Sequence, residues 1–158
     1  MNLDPPEDLN LADWLVDARV REGRGERVAL RLPDRELTYR DVQRLARRFA
    51  TVLAGLGLRP EERVLLSLRD GAEFVGALFG ALAAGASVVM LNPDLGAEAI
   101  AGLVDYLRPR LAVVDGRLVP AFADAVKCGA KAGLVISAGF AELATDEGRA
   151  RQAALKAL

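Results

Sequence analysis

The longest uncharged stretch of the sequence runs from Phe74 to Pro93 and admits two interpretations. Its apolar part is near the minimum of about 18 residues that a membrane-spanning helix needs. Its first half, however, is rich in Ala, Leu and Phe, whereas Val88 to Leu91 is short and bulky, as in a buried strand. Gly85-Ala86-Ser87 separates the two halves as a helix stop, and proline at position 93 ends the strand because it cannot donate to a ladder. The pattern predicts a buried helix followed by a buried strand rather than a membrane span.

Two glycines in the helical half, Gly76 and Gly80, are four residues apart and therefore share one helix face. In lipid, such a face would favour helix dimerisation. In an α/β domain it predicts that the helix lies close against a sheet.

The strongest local signal is a capped helix that begins after Thr38. Asp41, three residues after Thr38, occupies the capping-box position. Apolar residues then recur at helical spacing as far as about Leu56, and Gly57 is expected to close the helix. The predicted apolar stripe consists of Val42, Leu45, Ala46, Phe49, Leu53 and Leu56.

A shorter helix and a hairpin are predicted before the capped helix. Asn10 is placed to cap the first helix, with Asp13 as its capping-box partner, and this helix is expected to end near Arg21. Arg27 to Leu32 and Arg35 to Leu37 are predicted to be two strands joined by a proline-containing turn.

Strands and helices alternate from Arg63 onward. The predicted strands are Arg63 to Leu68, Val88 to Leu91, Leu111 to Val114 and Lys131 to Ser137. The predicted helices begin at Glu73, Ala97 (to Leu107), Pro120 (to Val126) and about Thr145. Short, continuously apolar strands separated by helices are typical of a parallel sheet covered on both faces.

The predicted fold class is therefore α/β, a doubly wound and mostly parallel sheet flanked by helices, with a small N-terminal helix and a β-hairpin. We expect a single domain over residues 1–158. Within it, residues 1–9 are a loose lead-in, 10–62 hold the helix, hairpin and capped helix, and 63–158 hold the βα repeats.

The composition removes most kinds of catalytic site. The chain has no histidine, the commonest general base and a frequent zinc ligand. Its one cysteine, Cys128, has no disulfide partner and is expected to be an incidental thiol in a reducing compartment. A net charge of -1 without a basic block predicts no nucleic-acid partner. The acidic N-terminus lacks an apolar signal segment, so the expected location is the cytoplasm.

Two patterns resemble binding sites, and each is better explained by structure. Gly23-Arg24-Gly25 leaves a helix and precedes a strand, the reverse of a dinucleotide-binding loop. Four arginines of the capped helix are expected to form a solvated face rather than an anion patch: Arg40, Arg44, Arg47 and Arg48. The sequence has no P-loop and no cluster of metal ligands. No catalytic, cofactor-binding or metal-binding residue is therefore assigned.

A small-ligand site, if the sheet forms one, is expected at the carboxyl ends of its strands. Ligands of open α/β sheets bind at that edge. The residues that follow the predicted strands there are Arg69-Asp70, Asn92-Pro93 and Asp115-Gly116.

Three stretches, taken in order, resemble the N-terminal portion of the adenylate-forming (AMP-binding) ligases, which include acyl- and aryl-CoA synthetases. Leu37 to Val42, LTYRDV, resembles the family's first core motif, Leu-Thr-Tyr-x-Glu-Leu. Leu58 to Val64 resembles its usual Gly-Asp-Arg-Val at the start of a strand, with Glu62 where aspartate is common. Ala81 to Pro93 resembles its second motif, a Gly-Ala turn into a strand. Residues 10–29 look most similar to the benzoate-CoA ligase branch, and the whole resemblance covers about residues 8–115.

The resemblance implies an enzyme that forms an acyl-adenylate from ATP and a carboxylate and then transfers the acyl group to coenzyme A. ATP, Mg²⁺ and coenzyme A are implied for a full-length relative. The family's ATP loop, a Ser/Thr- and Gly-rich run ending in Pro-Lys-Gly, is absent from these 158 residues. We therefore expect a truncated N-terminal part of such a ligase, inactive alone and without a cofactor of its own.

The expected partner is the missing remainder of the ligase or, in a homodimer, a second copy of the chain; neither nucleic acid nor a membrane is expected. Two alternatives stay open at this point. One is a non-catalytic, stand-alone module that dimerises or binds a partner through an exposed apolar face. The other is a small-ligand binder that uses the carboxyl ends of the strands.

Overall fold

The computed structural model describes residues 8–122 and, for the backbone, 133–136. The chain divides into two compact units, Met1–Glu62 with Asp70–Val88, and Arg63–Arg69 with Val89–Leu158. That the chain forms a single domain stays a prediction. Cys128, the lead-in over residues 1–7 and the helix expected from Thr145 lie outside the described residues.

The first unit begins with a helical segment over residues 11–24. Asn10 caps it as predicted, because its Oδ1 accepts hydrogen bonds from the amides of Ala12 (3.0 Å) and Asp13 (3.2 Å). The segment contains wide, π-type turns at Asp13–Asp17 and Val20–Arg24. The predicted end near Arg21 is confirmed, because Gly23 leaves the helical conformation with a φ of 77°. The capping-box role expected of Asp13 is wrong, since both of its carboxylate oxygens accept hydrogen bonds from the Arg21 guanidinium instead.

The predicted hairpin follows, with strands β1 (Val28–Arg31) and β2 (Glu36–Thr38) paired antiparallel. The pairing shifts register between Val28 and Leu30, which marks a bulge or irregularity. β2 leads directly into helix α1 (Tyr39–Gly55).

The predicted capping box at the start of α1 is confirmed. The Thr38 hydroxyl oxygen accepts a hydrogen bond from the Asp41 amide (3.2 Å), and the Asp41 carboxylate accepts one from the Thr38 amide (2.9 Å). Most of the predicted apolar stripe is buried, but Leu56 is 44% exposed. The helix ends at Gly55, so Leu56 lies in the cap and leaves the buried face. Gly57 adopts a φ of 78° directly after it, as expected for a helix stop.

Helix α2 (Ala72–Ala83) packs against α1, and its two glycines lie at the contact. A Cβ placed on Gly80 would lie 2.5 Å from the Cβ of Phe49 and 2.7 Å from the carbonyl oxygen of Ala46. One placed on Gly76 would lie 3.1 Å from the Cβ of Leu45. The prediction of a close approach is therefore correct, but the surface approached is α1 rather than a sheet. Among the described residues, no helix is both long and apolar enough to cross a membrane.

The second unit contains the parallel sheet. Its strands are β3 (Arg63–Ser67), β5 (Leu111–Val114) and β6 (Gly133–Ile136), with β5 between and parallel to the other two. Strand β4 (Ser87–Met90) is the neighbour of β3 in the strand order β4-β3-β5-β6. Parallel strands separated by helices confirm the predicted α/β class.

Helix α3 (Ala97–Leu107) covers the core of the second unit and has the predicted bounds. Arg108 ends it with a φ of 46°, in the left-handed region that commonly closes helices. After β5, a 3-10 turn over Gly116–Leu118 leads into helical residues 119–122, slightly earlier than predicted. The buried residues of the core that α3 helps to form are Leu65, Ile100, Val104, Ala112, Val114 and Phe122.

Candidate ligand site at the carboxyl ends of the strands

The carboxyl ends of β3 and β5 lie side by side in the second unit. Ser67 pairs with Val114, and the Asp115 amide donates a 3.0 Å hydrogen bond to the Ser67 carbonyl. The chain that follows β4 joins them, because the Leu91 amide donates to the Leu66 carbonyl at 2.9 Å. Parallel strand ends therefore bring three loops to one edge, as expected for an open α/β sheet.

A shallow pocket of about 210 Å³ lies among these loops. The residues that line it are Arg69, Pro93, Asp94, Asp115, Arg117 and Leu118. Arg69, Pro93 and Asp115 were predicted, whereas Asp70, Asn92 and Gly116 are not among the lining residues. Asn92 supports the loop instead, since its Oδ1 accepts a 2.9 Å hydrogen bond from the Asp94 amide.

Asp94, Arg117 and Leu118 were missed by the sequence analysis. Each lies one or two residues beyond a predicted position, within the turns that follow the strands. The spacing of Asp115 and Arg117 was an available signal. An aspartate that caps a turn accepts from the amide two residues on, and a basic side chain at that position can reach its carboxylate.

The two arginines of the pocket are each bound to an aspartate. Arg69 Nη2 lies 2.6 Å from Asp94 Oδ1, and the two side chains are 56% and 63% exposed. An ion pair this exposed contributes only about 0–1 kcal/mol. It therefore tethers the loops after β3 and β4 weakly.

Asp115 and Arg117 form the tighter pair. The carboxylate accepts hydrogen bonds from Arg117 Nη2 (2.8 Å) and Nε (3.0 Å) and from the Arg117 amide (3.0 Å). The guanidinium, followed by the backbone amide, lowers the pKa of Asp115 to about 2. The same contact raises the pKa of Arg117. Asp115 is thus a fixed anion at neutral pH and cannot act as a proton donor.

The charges of the pocket cancel, since two arginines face two aspartates. A phosphate group entering it would therefore meet no net positive field. Among residues 8–122, no group of three or more acidic, Cys or His side chains is arranged to hold a metal ion. The described residues therefore do not fit ATP with Mg²⁺.

The four arginines of α1 are exposed, as the predicted solvated face requires. Three of them also have acidic partners within the chain. Arg40 binds Glu26 at 2.6 Å, Arg44 binds Asp41, and Arg47 lies 3.9 Å from Asp17. The Gly23-Arg24-Gly25 stretch ends the first helical segment, and the Gly25 carbonyl accepts a 3.0 Å hydrogen bond from the Arg40 amide. The Gly25 carbonyl is thus bound to the backbone of α1. The stretch is therefore a structural connection and not a phosphate-binding loop.

The motif residues of the sequence have structural roles. Thr38 and Asp41 close the first turn of α1, and Gly85 turns the chain with a φ of 73° while its carbonyl accepts from the Glu61 amide at 2.7 Å. A Cβ on Gly85 would lie 3.4 Å from Pro60.

Comparison with known proteins gives a consistent set of relatives. The sequence pattern of the AMP-binding enzymes matches residues 16–156. The chain is 34% identical over 121 residues to a 4-hydroxybenzoate–CoA/benzoate–CoA ligase of Rhodopseudomonas palustris, covering 77% of this chain and 22% of the relative. It is 36% identical over 111 residues to the medium/long-chain-fatty-acid–CoA ligase FadD6 of Mycobacterium tuberculosis, covering 70% of this chain and 18% of the relative.

A similar result comes from solved structures. A benzoate CoA ligase from Burkholderia xenovorans LB400 superimposes with a TM-score of 0.73 at 32% identity, covering 82% of this chain and 26% of that one. The chain thus spans between 18% and 26% of the length of these relatives.

Proposed function

The chain belongs to the family of AMP-binding enzymes, and we propose that it forms the N-terminal part of an ATP-dependent ligase that joins a carboxylate to coenzyme A. The observation that carries the proposal is the superposition of 82% of this chain on a benzoate CoA ligase with a TM-score of 0.73. In such a reaction the carboxylate and ATP give an acyl-adenylate and pyrophosphate. The thiol of coenzyme A then takes the acyl group and AMP leaves.

The contribution of this chain to that reaction is architectural in our proposal. The capping box fixes the start of α1, Gly80 allows α2 to pack tightly on α1, and β3 and β5 present their carboxyl ends side by side. The pocket at those ends is neutral and the described residues lack a metal-binding cluster. No step of the ligase reaction is assigned to a residue of this chain.

We propose an aryl carboxylate as the substrate class. The support is that ligases named for benzoate occur among both the sequence relatives and the solved structures. FadD6 is similar to the same degree, so a fatty carboxylate is the alternative that a substrate panel must include.

The 158-residue chain is expected to be inactive by itself. The assay is carboxylate-dependent exchange of labelled pyrophosphate into ATP, with benzoate, 4-hydroxybenzoate and a fatty acid. We expect no exchange above a protein-free control, because the chain contains no phosphate-binding loop and its pocket arginines are already paired. Exchange that depends on one of these carboxylates would contradict this part of the proposal.

Titration calorimetry of the same protein with ATP, AMP and coenzyme A tests the alternative that the chain binds a small ligand. No heat is expected. Saturable heat with one of them would favour a small-ligand binder that uses the pocket at the strand ends.

A further inference from the structure

Three large apolar side chains are exposed on the helical segment over residues 11–24. They are Leu11 (42% exposed), Trp14 (40%) and Leu15 (47%), and their spacing of three and four residues places them on one helix face. We call these three residues the Trp14 surface. A different face of the same segment holds Ala12 and Val16, which are buried in the first unit. Apolar side chains on more than one face are typical of a helix that is buried on more than one side.

The segment that carries the Trp14 surface is held to the rest of the first unit by two hydrogen bonds. Asn10 Nδ2 donates a 2.8 Å hydrogen bond to the Leu82 carbonyl, and Gln43 Nε2 donates one of 2.7 Å to Asp17 Oδ1. Gln43 itself is buried. The exposed apolar residues are therefore presented on a fixed backbone, which lowers the entropy lost when another surface docks on them.

The six charged side chains of the segment already have partners within the chain. The pairs are Asp13 with Arg21 (2.5 Å), Glu22 with Arg19 (2.7 Å) and Arg24 (3.3 Å), and Asp17 with Gln43 (2.7 Å) and Arg47 (3.9 Å). The segment therefore presents an apolar surface without unpaired charges around it. Apolar surfaces are typical of permanent interfaces, whereas partners that meet by diffusion commonly use complementary charges to speed their encounter.

A further part of the same polypeptide suits such a surface. Covalent attachment gives it a high effective concentration, so that it docks without attraction between charges. Most of the length of the ligase relatives lies outside the region that matches this chain, since the chain spans 22% of the R. palustris ligase and 26% of the B. xenovorans one. A protein of that length supplies a large amount of additional surface that can cover the exposed residues.

We propose that, in the full-length ligase, the Trp14 surface is covered by apolar side chains of the polypeptide that follows residue 158. This inference rests on the proposed function, because it requires the longer ligase. Trp14 lies at the centre of the contact, with Leu11 and Leu15 beside it. Tryptophan is among the residue types most enriched where an interface gains most of its binding energy. The contact joins the first helical segment of this chain to the rest of the enzyme.

Hydroxyl-radical footprinting tests the proposal on two proteins, the 158-residue chain and the longer protein encoded by the same reading frame. Peptide mass spectrometry measures the oxidation rate of each side chain. Trp14 should be oxidised at least about fourfold more slowly in the longer protein, because its exposed fraction falls from 40% to that of a core residue. Tyr106, which is 83% exposed on α3, is the internal control and should react at a similar rate in both proteins.

The double substitution Leu11→Ser/Leu15→Ser gives a second measurement. It should lower the melting temperature of the longer protein by about 2 °C or more. The melting temperature of the 158-residue chain should fall by less, because both side chains are already half-exposed there. Tyr106→Ser is the matched variant and should leave both melting temperatures unchanged.

Three results would overturn the proposal, and they differ in what they say of the ligase function. Equal oxidation of Trp14 in a longer protein that exchanges pyrophosphate into ATP would overturn this inference and leave the proposed function intact. A reading frame that stops after codon 158 would overturn both. Protection of Trp14 already in the 158-residue chain, together with a mass of twice 16.8 kDa, would assign the Trp14 surface to a second copy of the chain.

Discussion

Gly80→Leu is expected to destabilise the first unit by more than the roughly 1–3 kcal/mol that overpacking of a core typically costs. The smaller change Gly80→Ala should itself cost about that amount. The reason lies in the contact between α1 and α2, where a single added carbon would lie 2.5 Å from the Phe49 Cβ, 2.7 Å from the Ala46 carbonyl oxygen and 3.1 Å from the Ala50 amide nitrogen. Two of these atoms are backbone, so no side-chain rotation relieves the clash.

Urea unfolding followed by Trp14 fluorescence measures this effect, since Trp14 belongs to the same unit as both helices. Gly55→Ala is the matched control in the same unit. Gly55 is the exposed last residue of α1, and a Cβ there meets nothing within 4 Å. Alanine at this position should not lower the unfolding midpoint, because no neighbouring atom has to move. Equal unfolding midpoints for Gly80→Ala and the natural protein would show that the two helices are farther apart than described.

Acidification from about pH 4 to pH 2 is expected to reduce the free energy of unfolding through two aspartates. The Thr38 amide, then the Thr38 hydroxyl and the Arg44 guanidinium, lower the pKa of Asp41 from 3.8 to about 2. Arg117 lowers the pKa of Asp115 to about 2 in the second unit. Because both pKa values are lower in the folded state, the stabilisation is present above about pH 4 and is lost as the pH falls through about 2.

The magnitude is at most roughly 2 kcal/mol for each carboxylate. Solvent reduces it, because the side chains of Asp41 and Asp115 are 28% and 24% exposed. Urea unfolding at pH 5 and pH 2.5 measures the loss. Asp41→Asn should lower stability at pH 5 and flatten the pH dependence. Asp34→Asn is the control, since Asp34 is 70% exposed and lies 3.9 Å from Arg35. If the protein with its natural sequence has the same free energy of unfolding at both pH values, the stabilisation attributed to Asp41 and Asp115 is contradicted.

The parts of the fold that the sequence predicted are those fixed by neighbours along the chain. The capping box at Thr38 and Asp41 depends on residues three apart, and α3 and β5 have the predicted bounds because Pro109 and Asp115-Gly116 limit them. The hairpin is likewise local. Each of these elements carries its own stop and start signals.

Tertiary contacts account for what the sequence did not predict. The spacing of Gly76 and Gly80 indicates a close approach, but it contains no information on whether the partner is a helix or a strand. Helical periodicity placed Leu56 on the buried stripe, although α1 ends at Gly55. At the candidate site, the sheet rule located Arg69 and Asp115. It did not reveal that Asp94 and Arg117 neutralise the pocket, because those pairs depend on how the loops fold.

The resemblance to AMP-binding ligases is carried by residues whose work in this chain is structural. Thr38 and Asp41 cap the start of α1, and Gly85 forms the turn that leads into β4. The family can therefore be recognised from these residues although none of them is a reactive group. This explains how the family could be identified while no catalytic residue could be assigned.

The most direct test of the central claim is the nucleotide sequence of the gene beyond codon 158. If the chain is the N-terminal part of an acyl- or aryl-CoA ligase, the same reading frame should continue into a Ser/Thr- and Gly-rich run that ends in Pro-Lys-Gly. A stop codon directly after Leu158, followed by unrelated sequence, would contradict the claim and favour a stand-alone module.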